Sequence, residues 1–141
     1  MGLDNGLTVK AKTTKGMEYL KEQNYMEKEY SGSTHYELGY WRKCWNIRSA
    51  VLGAFTNKGY DGQGGSFKLT SVEDLLDFME TLKLFLNEKA WDATDNGSIW
   101  TWYEALPGLA YAIRNIKFLI DDIECGNVSF KDLRIKFYDS Y

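Results

Sequence analysis

The sequence predicts an α+β fold, a small antiparallel or mixed sheet covered by three to four helices, from three observations. Alternating apolar and polar residues near both ends mark half-buried strands. Two long stretches carry apolar residues at the spacing of amphipathic helices. The resulting order of elements, β, α, β, α, α, β-hairpin, α, β, places helices over a sheet rather than in a bundle.

Leu7, Val9 and Ala11 alternate with Thr8, Lys10 and Lys12, which gives a first strand. Gly16 to Tyr30 is charged, with Met17, Leu20 and Tyr25 loosely periodic, and reads as a partly exposed helix broken by Ser31, Gly32 and Ser33. Tyr36, Leu38 and Tyr40 alternate with Glu37 and Gly39 in a second strand that runs directly into a helix over Trp41 to Phe55. In that helix Cys44, Ile47, Val51 and Ala54 form one stripe with Trp41, Trp45 and Leu52 beside it, and Arg42, Asn46 and Ser49 share the opposite face.

Thr56 to Ser66 holds four glycines with Asn57 and Asp61 and reads as a mobile loop. Thr70 and Glu73 make a capping box for a helix to Glu88 carrying Val72, Leu75, Met79, Leu82 and Leu86 on one face. Trp91, the turn-like Asp95-Asn96-Gly97 and the run Ile99 to Trp102 read as a β-hairpin. Pro107 suits a first helical turn, after which Leu109, Ile113, Ile116 and Ile120 continue a stripe to Ile123, before Gly126. Leu133, Ile135 and Phe137 alternate with Arg134, Lys136 and Tyr138 in a closing strand.

Composition bounds the function classes. A chain of 141 residues fits one domain over 1–141. No run approaches the length of a membrane span and the start lacks the order of a signal peptide, so a cytoplasmic protein without membrane contact is expected. Cys44 and Cys125 stand apart and His35 is the one histidine, too few soft ligands for zinc or an iron–sulfur cluster; no metal and no cofactor is expected. The net charge of −3 divides into +3 over residues 1–58 and −6 over 59–141, a poor fit to long duplex nucleic acid but compatible with a small anion held by a few arginines.

The opening Met1-Gly2-Leu3-Asp4, the segment Glu37-Leu38-Gly39-Tyr40-Trp41-Arg42-Lys43 and an aromatic final strand resemble a family of uncharacterised small phage and prophage proteins. In that family the Tyr-Trp-Arg-Lys run is typically followed by Ala-Asn and Ile-His. Here Cys44, Trp45, Asn46, Ile47 and Arg48 take that stretch, and the glycine-rich loop and tryptophan hairpin match only loosely. The resemblance implies a phage or prophage gene product with an accessory or counter-defence role, and no activity or site residue.

Six residues are candidates for ligand contact. Tyr40, Trp41 and Arg42 offer aromatic planes for a base and a planar fork for phosphate or carboxylate, against packing in the core and solvating a helix start. Arg48 falls at the edge of the apolar face, where a guanidinium needs a carboxylate or an anion. Trp100 and Trp102 share a face in the expected hairpin, as a stacking platform or as core. His35 lies in a polar turn without a nucleophile relay, and Asp121, Asp122 and Glu124 read as acidic surface. No catalytic motif appears. The expected function is a phage-type binding protein that sequesters a nucleotide-like signal or occludes a bacterial defence protein. The alternatives are a small nucleotide- or sugar-modifying enzyme and a phage structural or assembly protein, and a homo-oligomer suits any of these.

Overall fold

A computed structural model describes residues 4–30, 32–42, 44–55, 66–87 and 99–140, the side chains of residues 30 and 99–101 excepted. The strands are β1 (Asp4–Ala11), β2 (Met26–Tyr30), β3 (Ser33–Arg42), β4 (Phe67–Leu69) and β5 (Leu133–Ser140). Between them lie α1 (Thr14–Lys21), α2 (Trp45–Ala54), α3 (Val72–Leu84), α4 (Ile99–Glu124) and a 3₁₀ turn (Phe130–Asp132). The strands form one sheet in the order β2-β3-β1-β5-β4, each neighbour antiparallel. This is the α+β architecture expected, with a fully antiparallel sheet.

In β1, β4 and β5, alternation decides which side of the strand is covered. Leu7, Val9, Ile135, Phe137, Phe67 and Leu69 are buried against the helices, while Lys68, Arg134 and Lys136, which alternate with them, are exposed. The described helices pack on that one face. α4 lies over β3, α3 against α4, and α2 against α3, while α1 beside β1 reaches α4 through Tyr19. Phe55, Phe67, Phe78 and Phe137 fill the centre with ring centroids 4.9 to 6.0 Å apart.

Close approach depends on two glycines. A Cβ at Gly39 would lie 2.5 Å from that of Ala112, and one at Gly108 would lie 2.8 Å from the Tyr40 carbonyl oxygen. Helix α4 therefore sits directly on β3. It covers the stretch of β3 past Glu37, where pairing with β2 ends, and Asn115 Nδ2 donates to the Leu38 carbonyl at 3.0 Å.

Several elements differ from the sequence reading. The expected helix over Gly16–Tyr30 ends at Lys21, and Met26–Tyr30 pairs with Ser33–Glu37 through a turn at Gly32, whose φ is +79°. The second strand continues to Arg42, so helix α2 starts at Trp45 instead of Trp41. Ser71, not Thr70, caps α3, accepting from the Asp74 amide at 3.2 Å, while the Thr70 amide and hydroxyl donate to Asp74 Oδ2. The expected hairpin strand at Ile99–Trp102 is the first turn of α4, and Pro107 falls inside that helix on an exposed position. Trp102, Ala105, Leu109, Ala112 and Ile116 are all buried and keep a 3-4-3-4 spacing, which carries the helical pattern back past the proline. Residues 56–65 of the expected loop, and Trp91 with Asp95-Asn96-Gly97, lie outside the described residues. Among the described residues no helix is long and apolar enough to cross a membrane.

Candidate functional site at the end of the sheet

Three strands meet at one end of the sheet, where Asn5 and Asp139 put polar side chains on the face that elsewhere is apolar. Asn5 of β1 is registered opposite Trp41 of β3 on one side and Asp139 of β5 on the other. Asn5 is fully buried, Trp41 is 3% exposed, and the Asp139 side chain is fully buried. Asn5 Nδ2 donates to Asp139 Oδ1 at 2.6 Å, and Arg48 Nε reaches both Asp139 oxygens at 2.9 Å. The Asp139 amide donates to Ser66 Oγ at 3.0 Å, tying β5 to the start of β4.

Burying a carboxylate here requires the guanidinium, because an uncompensated charge in the interior costs several kcal/mol. Among the described residues, three buried side-chain polar atoms have no hydrogen-bond partner: Asn5 Oδ1 and Trp41 Nε1 in this cluster, and Asn46 Nδ2 on α2. The other side of the Asn46 amide is spent, its Oδ1 accepting from the Ile47 amide at 2.9 Å.

Trp41 is also a wall of a cavity of about 290 Å³ that lies between the end of β3 and α4 and is lined by Tyr40, Trp41, Arg42, Glu104, Ala105 and Gly108. Strand geometry splits the Tyr-Trp-Arg run between two faces. Trp41 turns to the core, while Tyr40 and Arg42 turn to the open side, where both bond Asp4 Oδ1, Tyr40 Oη at 2.9 Å and Arg42 Nε at 3.1 Å. Lys28 Nζ lies 5.0 Å from the Tyr40 ring centre. Burial, then the hydrogen bond to Asp4, raises the Tyr40 hydroxyl above its ordinary pKa. Arg42 stays 61% exposed in its side chain, a cation at the cavity mouth.

Beside the cavity, the Cys44 thiol donates to the Arg42 carbonyl at 3.1 Å and is pushed up to about 12 by burial, with the Glu104 charge adding to the shift. A thiol in that state is protonated at neutral pH and a poor nucleophile. The arrangement can hold a planar, polar-edged group between aromatic and apolar walls with charge at the rim.

The structure thus places Tyr40, Trp41 and Arg42 around one cavity and Arg48 in the polar cluster behind it. Trp102 is elsewhere: its indole N–H donates to the Phe85 carbonyl at 2.8 Å, closing the C-terminus of α3, so it is no stacking platform on a sheet. Trp100 is helical in backbone, and its side chain lies outside the described ones. His35 is on β3, half-buried, with Lys28 opposite. Asp121 pairs with Lys117 and Asp122 accepts from Tyr19 and Asn127, so these carboxylates do not converge. Among the described residues no three His, Cys, Asp or Glu gather to hold a metal ion.

A larger, polar cavity of about 590 Å³ between α1 and the end of α4 includes Glu18, Glu22 and Asp122, with Lys15 among its walls. It holds none of the six candidates.

Asn5, Asp139 and Glu104 belong to the site and escape the sequence reading. A signal for two of them exists. Asn5 is in phase with Leu7 and Val9, and Asp139 with Ile135 and Phe137, so period 2 sends both polar side chains to the buried face. In comparison with known proteins, no family model, no curated protein and no solved structure matches this chain.

Proposed function

We propose that this chain is a non-catalytic binding protein that captures a small nucleotide-like anion in the Tyr40-Trp41-Arg42 cavity. The observation that supports this is the convergence of those three consecutive residues on one cavity with Arg42 at its mouth. At about 290 Å³ the cavity is at the low end of small-molecule sites, large enough for a base and leaving phosphate for the rim. Arg42 offers the planar fork that phosphate geometry suits. In the setting that the family resemblance implies, capture in the cytoplasm of an infected or lysogenic host would withdraw a signalling nucleotide from a defence pathway.

The test is the melting temperature against cyclic oligonucleotides, cyclic ADP-ribose isomers and ordinary nucleotides. A ligand at a hundredfold excess over its dissociation constant adds about 2.7 kcal/mol to stability. One ligand that shifts the melt and is recovered at unchanged mass supports capture; a changed mass makes the protein an enzyme. The shift should vanish in Arg42→Ala.

A second reading, occlusion of a host protein, is favoured by a different observation. Tyr103, Tyr111 and Phe118 are 56%, 36% and 52% exposed and recur along one side of α4. A panel without any shift, together with loss of host-protein binding in Phe118→Glu, would support this reading over the first.

A further inference from the structure

Apart from Arg42 at one end, the cations on the open face of the sheet lie in a band. Strand register sets Lys28 opposite His35, Lys10 opposite Arg134, and Lys136 opposite Lys68. These residues come from all five strands, so the band crosses the sheet over about 19 Å at the usual strand spacing.

Two of the three pairs set like charges directly opposite each other, an arrangement that costs stability. Lys28 reaches Glu37 at 2.7 Å, but among the described residues none of Lys10, Lys68, Arg134 and Lys136 is within salt-bridge distance of a carboxylate. Burial first, and then the charges of Lys10 and Lys136, hold the His35 imidazole below its usual pKa, as a positive field would. A chain of net charge −3 therefore concentrates positive charge on one face, and past Lys28 the band has no carboxylate to pair it among the described residues. Folding alone gives no reason for this.

Beside the band, one step along the strands, Tyr40 and Tyr138 flank Gly6 in register. Both rings are half-buried, and Gly6 leaves room for Tyr138 to lie over β1: a Cβ there would be 2.6 Å from ring atom Cε1. Tyr138 Oη donates to Glu37 Oε1 at 3.3 Å, which fixes the ring.

We infer that this open sheet face binds a short single-stranded nucleic acid, its phosphates along the Lys68-Lys136-Arg134-Lys10-Lys28 band and its bases toward Tyr138 and Tyr40. A linear polyanion matches a narrow row of cations. Unpaired bases can use aromatic rings on an open sheet, whereas paired ones in a duplex cannot reach them. An acidic protein surface would use the cations and leave the tyrosines without a role. The inference shares only Tyr40 with the cavity, since the cations it depends on, Lys68 and Lys136 among them, do not line that cavity and these two lie on strands beyond β1 from Tyr40.

The experiment is fluorescence anisotropy of a labelled ten-residue oligothymidylate and of a duplex of equal length, from 50 to 200 mM salt. With about four phosphates contacted, affinity for the single strand should fall roughly 50-fold over that range. Lys68→Gln with Lys136→Gln should weaken binding and lower the salt slope by about 1.4. The same double variant should melt no lower than the parent, because it removes a like-charge pair, which separates lost contact from lost folding. Undetectable binding, equal affinity for the duplex, equal competition by polyglutamate, or full binding by the double variant would each overturn the inference.

Discussion

The two faces of the sheet are built from the same strands by alternate residues, and they are held by different physics. The covered face is aliphatic and aromatic, with Leu7, Val9, Ile135 and Phe137 at 0–1% exposure, and it ends in the Asn5, Trp41 and Asp139 cluster. The open face carries Lys10, Arg134 and Lys136 without ion pairs among the described residues, and Glu37, which is held by Lys28 and Tyr138. Stability belongs to the first and exposed charge to the second. The difference teaches that a polar residue on the covered face is structural until shown otherwise, whereas charge repeated on the open face calls for a partner.

The largest test of this division uses adjacent residues. Phe137→Ala should cost about 3–5 kcal/mol by opening a cavity in the aromatic centre, measured by urea denaturation. Tyr138→Ala, one residue on, should cost about 1 kcal/mol, the scale of one hydrogen bond. Equal losses would break the contrast between faces.

Next come the two arginine–aspartate pairs. Arg48→Ala leaves the fully buried Asp139 carboxylate without its guanidinium and should cost about 3 kcal/mol. Arg42→Ala removes an ion pair whose partners are 61% and 40% exposed and should cost less than about 1 kcal/mol, because water screens it. Comparable losses would mean that Arg42 is structural and weaken its assignment to the cavity mouth.

A pH series sharpens the comparison at the opposite end of the sheet. The Ser129 amide, then the Thr13 hydroxyl, holds the Asp132 carboxyl below its usual range, joining the 3₁₀ turn to the cap of α1. A depressed folded-state pKa contributes stability above the unfolded value near 4, and that contribution is lost as pH falls through the folded value. Asp132→Asn should therefore melt below the parent at pH 7, with the gap closing as pH drops below about 4. A gap constant with pH would show that the carboxylate charge is not what links these elements. The smallest effect is expected from Lys136→Gln alone, a gain of a few tenths of a kcal/mol from relief of repulsion with Lys68.

Much of the fold is legible in local patterns. The period-2 runs at Leu7–Ala11, Tyr36–Tyr40 and Leu133–Phe137 are strands, and the stripes in 72–84 and 109–123 are helical. The misreadings share a cause. Ile99–Trp102 is rich in strand-forming residues, yet burial of Trp102 in phase with Ala105 and Leu109 makes it helix, so packing overrides propensity. Met26–Tyr30 is charged and unpatterned, and becomes a strand because β3 offers backbone partners across the Gly32 turn. Of the candidate site, Arg48's need for a partner was readable from its place at the edge of an apolar stripe. The identity of Asp139, 91 residues away, was not, because a contact at that separation leaves no trace in local spacing.

The sequence by itself determined the α+β class and the phase of the strands at Leu7–Ala11 and Leu133–Phe137, since these follow from periodicity within a few residues. Tertiary structure alone decided that Trp41 turns inward while Tyr40 and Arg42 turn out. It also decided that α4 covers the edge of β3 beside a cavity, and that cations from four strands line up on one face. Those outcomes depend on strand order and register, which are set by pairing between segments distant in the chain.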